Sequence, residues 1–221
     1  MASFGNYIDS YFHKGLRKKL LDEVEQMGIN DPNVLQAMDK VPRHFFMDTA
    51  FERIAYENRA FPIAAGQTIS QPYTVAYQSQ LLEVKPFEKI LEVGTGSAYQ
   101  ACILAELGAM VYSIERKREL YDLNNKFYYL KRFPKLKRFY GDGFKGLPSY
   151  APFDKMIITA AAPFVPDALI EQLKIGGFII APVDEEDGEG QIMKKIIKTE
   201  DGIQEEVFDK FSFVPMLKGK D

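Results

Sequence analysis

Between residues 89 and 183 the chain repeats one pattern: a short aliphatic run, a turn, then a stretch of helical length. The runs fall at 89–94 (KILEVG), 110–115 (MVYSIE), 136–141, 154–159 (DKMIIT) and 178–183 (FIIAPV). Helical stretches occupy 72–84, 98–107, 117–132 and 167–174, the last stopped by Gly176-Gly177. Strands separated by helices of this length cannot pair as hairpins. They predict a mostly parallel sheet with right-handed crossovers. The C-terminal end breaks the pattern, because strand-like segments near 191–198 and 203–213 flank Asp201-Gly202, a hairpin signal.

Ahead of the alternation, Leu16, Leu20, Val24 and Met27 recur at helical spacing, with Gly28 placed to cap the helix end. Asp31-Pro32 opens a second helix carrying Val34, Leu35, Met38 and Val41, and Pro42 stops it. These form an N-terminal helical cap. Residues 43–66 read as irregular. The Lys18/Asp22 and Lys19/Glu23 pairs and the acidic run at 184–190 read as solvated surface. The expected organisation is a single domain over 1–221. It comprises a cap and loop (1–70), an α/β core (71–183), and a C-terminal hairpin with its trailing segment (184–221).

Several function classes are excluded by counting. With 221 residues and 46% hydrophobic content, the chain buries a core without staples. A net charge of −3 opposes a dedicated nucleic-acid binder. No apolar run approaches the ~18 residues of a membrane span, and the first 30 residues show no signal peptide. The single cysteine, Cys102, fits the cytoplasm. With it, the two histidines, His13 and His44, supply too few ligands for a structural zinc site and no nucleophile-elbow context for a Ser-His-Asp triad. No metal, no membrane and no nucleic acid are expected, and the chain is expected to act as a monomer.

The run KILEVG leads straight into Thr95-Gly96-Ser97-Ala98 and a helix. Gly94 and Gly96 allow a tight turn and close approach to a ligand. Glu115 ends the next strand about 20 residues on, where a carboxylate accepts hydrogen bonds from ribose hydroxyls. A plain strand–helix turn with a surface glutamate is the alternative. A dinucleotide fingerprint needs Gly or Ala where Tyr99 stands, and no P-loop lysine follows. Residues 92–98, with acidic Glu92 ahead of the glycines, instead resemble the first motif of S-adenosylmethionine-dependent methyltransferases. That cofactor is cationic, so nearby carboxylates suit it. Asp142, within Gly141-Asp142-Gly143, is placed to accept from an adenine amino group, or is simply an acidic turn residue. The segment after the fourth strand, Thr159-Ala160-Ala161-Ala162-Pro163, offers little to orient an amine acceptor, and no strong base is evident. A carboxylate acceptor needs none. Gln67-Thr68-Ile69-Ser70 reads, on its own, as a polar loop with Ser70 capping the helix at 72.

Residues 41–46 (VPRHFF), 66–72 (GQTISQP), 91–99 (LEVGTGSAY), 141–143 (GDG), 152–166 (PFDKMIITAAAPFVP) and 213–216 (FVPM) together resemble the protein-L-isoaspartate O-methyltransferase family. The resemblance implies a Rossmann-like S-adenosylmethionine-dependent methyltransferase fold. It implies methyl transfer to the free α-carboxylate of isoaspartyl residues in damaged proteins and peptides, releasing S-adenosylhomocysteine. The methyl ester would then collapse to a succinimide that reopens partly to aspartate. The family's active-site serine falls on Ser70, and its cofactor positions on Glu92, Gly94, Gly96, Glu115, Asp142 and Gly143, with Gln67, Thr68 and Ile69 along cofactor and substrate. Val214-Pro215-Met216 matches a segment bordering the peptide groove. Ala98 replaces a commoner third glycine, and Met216 a usual leucine. A methyltransferase of RNA or a small molecule on the same scaffold, and a catalytically silent cofactor-binding module, are the rival readings.

Overall fold

The five aliphatic runs form the five parallel strands of a seven-stranded sheet. The computed structural model describes residues 8–185, 188 and 190–221. Helices α1 (Tyr11–Gln26) and α2 (Pro32–Lys40) precede two short strands, β1 (Phe61–Pro62) and β2 (Thr68–Ile69), which pair antiparallel with each other. Helix α3 (Pro72–Leu82) enters the alternation β3 (Lys89–Val93), α4 (Tyr99–Glu106), β4 (Met110–Glu115), α5 (Arg118–Lys126) and β5 (Leu136–Tyr140). Then come β6 (Phe153–Ile158), α6 (Asp167–Glu171), β7 (Leu173–Asp184), β8 (Gln191–Thr199) and β9 (Gly202–Phe211).

The sheet order is β5-β4-β3-β6-β7-β8-β9, with β8 and β9 antiparallel. From β3 the chain moves outward to β4 and β5, then returns to β6 on the other side of β3. Such a reversal opens a crevice beyond the carboxyl ends of the strands.

Strand alternation divides the core. Ile90, Val111, Ile157 and Ile180 face a cluster shared with α1 to α4. Their neighbours Leu91, Tyr112, Met156 and Ile179 face a second cluster closed by Leu169 of α6. The N-terminal helices thus sit on one face, where α2 packs on α3 and α4. Asp31 accepts from the Asn33 N–H at 2.8 Å ahead of Pro32, as expected, and Ser10, which the sequence did not single out, accepts from the His13 N–H at the start of α1. Lys18, Asp22, Lys19 and Glu23 are exposed.

Three local expectations change. The helix expected over 117–132 ends at Lys126, and Tyr128–Arg132 turns as a 3-10 helix. A continued helix would put Tyr129 on the face opposite Leu120, yet Leu120, Asn124 and Tyr129 are all buried, so the chain turns to bring Tyr129 inward. The helix expected over 167–174 stops at Glu171, and Gly176-Gly177 lies inside β7. A Cβ on Gly177 would lie 2.6 Å from the Asp154 carbonyl, so this glycine serves strand approach, not a helix stop. Within 43–66, 3-10 turns at Arg43–Phe46 and Thr49–Ile54 accompany β1. The hairpin at Asp201-Gly202 forms as expected, with Thr199 opposite Gly202. In the acidic run, Glu185 pairs with Lys210 at 2.6 Å, while Glu186, Asp187 and Glu189 lie outside the described residues.

Arg43 organises the irregular segment. It has no solvent exposure; Nε donates to the Ala55 carbonyl at 3.0 Å and a terminal nitrogen to the Arg59 carbonyl at 3.3 Å. Its guanidinium stands 5.3 Å from the Tyr99 ring, and burial lowers its pKa to about 10. Arg43→Ala leaves two carbonyls without donors and a void beside Tyr99, so a loss of ~2–4 kcal/mol in unfolding free energy is expected by urea denaturation.

Candidate active site

The turn after β3 is held from three directions. Gly94 (φ +102°) and Gly96 (φ +52°) adopt left-handed backbone, and Ala98 joins them at φ +68° despite its Cβ. From β4, Glu115 Oε2 accepts the Gly96 N–H at 2.8 Å, and its Oε1 accepts the Lys117 N–H at 2.8 Å. From α5, Asn124 Nδ2 donates to the Gly96 carbonyl at 3.0 Å. After β6, the Thr159 hydroxyl donates to the Gly94 carbonyl at 2.7 Å. A Cβ on Gly94 would lie 2.6 Å from that same hydroxyl oxygen, so no other residue fits there without displacing the clamp.

Beyond this turn, at the crevice predicted by the sheet order, lies an open cavity of about 870 Å³, counting the part that opens to solvent. Gly94 and Gly96 form one side. Gln67, Thr68, Ile69 and Ser70 form the opposite wall, and Glu115 and Gly143 complete the set. A Cβ on Gly143 would overlap the Val93 side chain, which explains glycine there. Pro215, Met216 and Leu217 also line the cavity. Their segment is fixed to the strip after β6 by Ala161 N–H to Val214 O and Met216 N–H to Ala161 O, each 2.7 Å.

Two sequence-predicted residues are not in the cavity lining. Glu92 is fully buried beneath the turn, not in the cavity lining. It lies opposite Ser113 in the β3–β4 register, and the Ser113 hydroxyl donates to its Oε2 while lying 2.6 Å from Thr95 Oγ1. Burial pushes the Glu92 carboxyl up to about 8. The Ser113 bond opposes that rise, and the Glu115 charge adds to it. Asp142 is half-exposed, and its Oδ1 accepts the Phe144 N–H at 3.0 Å, capping the short turn Gly143–Lys145.

Ser70 occupies the wall with its hydroxyl in no hydrogen bond to the described residues. The residue capping α3 is Gln71, not Ser70. Sequence reasoning missed three residues. Asn124 and the clamping role of Thr159 are visible only through tertiary contact. Gln100 lines the cavity, its Nε2 donates to Ser79 Oγ at 2.8 Å, and its Oε1 is buried without a partner. Away from the cavity, Asp9, His13 and His44 bring metal-capable atoms together in the N-terminal cap. Their imidazoles stack at 3.8 Å and 19°, so the in-plane lone pairs run side by side and do not converge.

Residues 15–221 match the sequence model of the Protein-L-isoaspartate(D-aspartate) O-methyltransferase family. The chain belongs to this family. It is 53% identical over 214 residues to a protein of Flavobacterium johnsoniae named protein-L-isoaspartate O-methyltransferase, covering 96% of this chain and 99% of that one. A protein of the same name from Christiangramia forsetii is 51% identical over 213 residues, with 96% and 99% coverage. Among solved structures, a Plasmodium falciparum chain described as a candidate member and crystallised with S-adenosyl-L-homocysteine aligns with a TM-score of 0.79. The identity is 25%, over 93% of this chain and 98% of that one. A further protein-L-isoaspartate O-methyltransferase aligns with a TM-score of 0.81 at 23% identity, over 90% of this chain and 65% of the other, and speaks for the fold. The fold is the Rossmann-like methyltransferase fold expected from the sequence.

The buried Glu92 acid makes stability fall with pH. Below about 4.5 it is protonated in both the folded and unfolded chain; between 4.5 and 8 only the unfolded chain releases the proton; above 8 the loss is complete. Glu92→Gln should remove this slope. Its urea midpoint relative to wild type should rise between pH 5 and pH 9, and parallel midpoints across that range would show that Glu92 ionises normally.

Proposed function

We propose that the chain transfers a methyl group from S-adenosylmethionine to the free α-carboxylate of L-isoaspartyl residues in proteins and peptides, releasing S-adenosylhomocysteine. The backbone amide nitrogen that follows then attacks the methyl ester and expels methanol to form a succinimide, and water reopens that ring partly to aspartate. The observation that carries this reading is the uncommitted Ser70 hydroxyl. It stands on the wall between the cavity under the glycine turn and a second groove open to solvent. Family membership and the names of the relatives support the same chemistry.

The cavity suits a cationic nucleoside. Gln100 presents a buried acceptor without a donor, and Glu115 brings a carboxylate to the strand end beside Gly96. When bound, S-adenosylmethionine supplies an electrophilic methyl group on a positively charged sulfonium. In this reading Glu115 accepts from the ribose hydroxyls while holding the turn. Asp142 and Gly143 flank the adenine, and Gly94 and Gly96 keep side chains out of the way. Glu92 acts from beneath, fixing Thr95 through Ser113. Gln67, Thr68 and Ile69 wall the reacting pair from water.

Ser70 donates a hydrogen bond to one oxygen of the acceptor carboxylate and so aims the other at the methyl group. The acceptor is ionised at neutral pH, so no base is required. Carboxylate and sulfonium lose opposite charges as the methyl moves, and a closed site that excludes water favours that loss. Among the described residues, no helix is long and apolar enough to cross a membrane. That observation and the net charge of −3 support polypeptide substrates over membrane or nucleic acid. We place the chain in the cytoplasm as a monomeric single domain, with cap and loop at 1–70, cofactor core at 71–183 and substrate-side hairpin at 184–221.

Methyl transfer to paired peptides differing only in aspartate or isoaspartate tests the reading. A carboxylate misplaced by about 1 Å costs ~100-fold in rate, so the aspartyl peptide should lag by at least that order. Comparable rates would overturn the substrate assignment.

Ser70→Ala should keep affinity for S-adenosylhomocysteine. Turnover should fall by a factor in the tens to thousands, the ~1.5–4 kcal/mol typical of one pre-positioned donor. The fall should be the same at pH 6 and pH 8, since no group titrating between them is removed. Full turnover in this variant, measured with the isoaspartyl peptide, would make Ser70 a structural residue only.

A further inference from the structure

The groove on the far side of Ser70 has an open volume of about 1550 Å³ and shares Thr68, Ser70, Thr159 and Val214 with the first cavity. It opens to solvent, as a site for a stretch of polypeptide must. Asn58 ties its parts together. Its Oδ1 accepts the Tyr73 N–H at 3.0 Å, its carbonyl accepts from Gln71 Nε2 at 2.9 Å, and its Nδ2 donates to Glu23 of α1 at 3.1 Å. One wall is aromatic. The Phe211 ring lies 5.0 Å from Tyr77, 6.3 Å from Tyr73 at 21°, and 6.4 Å from Phe213, and the Tyr77 hydroxyl is anchored on Asp209 at 2.8 Å. The two cations of the groove are neutralised locally, Arg59 by Glu57 at 2.7 Å and Lys210 by Glu185 at 2.6 Å. Selection by substrate charge has little to act on.

An isoaspartyl residue offers this groove almost nothing apolar. Its side-chain methylene has become main chain, and what hangs from the chain is the carboxylate that meets Ser70. Binding area must come from neighbouring residues, which follow at roughly 3.8 Å per Cα step along the wall that begins at Tyr73. We infer that this groove selects isoaspartyl substrates carrying an aromatic or large aliphatic residue next to the damaged position, with Tyr73, Phe211 and Phe213 as the specificity-determining surface. The inference rests on the proposed function.

The test separates binding from transfer. Isoaspartyl peptides with phenylalanine before or after the isoaspartate, and a control with glycine on both sides, are titrated into the enzyme saturated with S-adenosylhomocysteine. At least one phenylalanine peptide should bind about tenfold more tightly than the control, the scale of a buried ring with aromatic contacts. Phe211→Ala should bring that ratio near one, and Phe211→Leu should retain part of it. Affinity for S-adenosylhomocysteine, unchanged in both variants, shows that the fold and first cavity survive. Equal binding of all peptides, or a preference that persists in both Phe211→Ala and Phe213→Ala, overturns the inference. Methyl transfer measured on the same peptides keeps the readings apart: preference without transfer overturns the proposed function alone, and transfer without preference overturns the groove assignment alone.

Discussion

The clamp on the glycine turn is the constraint on which the rest of the site depends. A backbone with three left-handed residues in five, at Gly94, Gly96 and Ala98, does not hold its shape by local preference. Ala98 in particular resists it, since a Cβ in this region costs ~1–2 kcal/mol. The shape is imposed by Glu115 from β4, Asn124 from α5 and Thr159 after β6. Those three elements converge only because the chain reverses its strand order around β3. Sheet topology and cavity are therefore one fact: the crevice exists where the order reverses, and the residues bordering the reversal close the turn.

Two carboxylates near that turn behave differently because their surroundings differ. Glu115 accepts two backbone N–H groups, one on each carboxylate oxygen. Glu92 has only the Ser113 hydroxyl, with its second oxygen buried and unpartnered, so burial favours its neutral form. A neutral acid beneath the turn and a carboxylate at its edge give the cavity a one-sided field. Negative charge gathers where a sugar or a cation approaches, while the layer below the loop stays uncharged.

The alternation of runs and helices made the parallel sheet legible, and Asp201-Gly202 made the hairpin legible, because both depend on local periodicity and turn chemistry. The glycine turn and Glu115 were legible because their residue types are demanding and their spacing is short, whereas the loop at 67–70 read on its own as a polar loop and stood out only through the family resemblance. What escaped depends on register and packing. Nothing in a linear reading pairs Glu92 with Ser113, so Glu92 looked like a cavity residue and lies beneath it. Asn124 sits within an ordinary helical pattern, and its bond to Gly96 spans 28 positions. The early ends of α5 and α6 reflect tertiary burial of Phe127, Tyr129 and Leu173 overriding helix periodicity.

The N-terminal cap looks remote from this chemistry, yet polar contacts link it to the residues just past Ser70. Arg17 of α1, paired with Asp9 at 2.9 Å, donates to the Tyr56 hydroxyl at 3.0 Å, which also meets His44 Nδ1 at 2.8 Å. Two residues on, Asn58 holds Gln71 and Tyr73, the residues just past Ser70, while Arg43 grips the carbonyls of Ala55 and Arg59 on either side. Ser70 itself makes no such bond, which leaves its hydroxyl available. Its position must then come from its neighbours, and those neighbours are fixed by a segment with almost no regular secondary structure. Irregular backbone is rigid only where its polar groups are satisfied from outside. Buried Arg43 and the Asn58 side chain supply such partners, and Arg17 of α1 holds the Tyr56 hydroxyl between them, so the helical cap functions as the mount of the loop that carries Ser70.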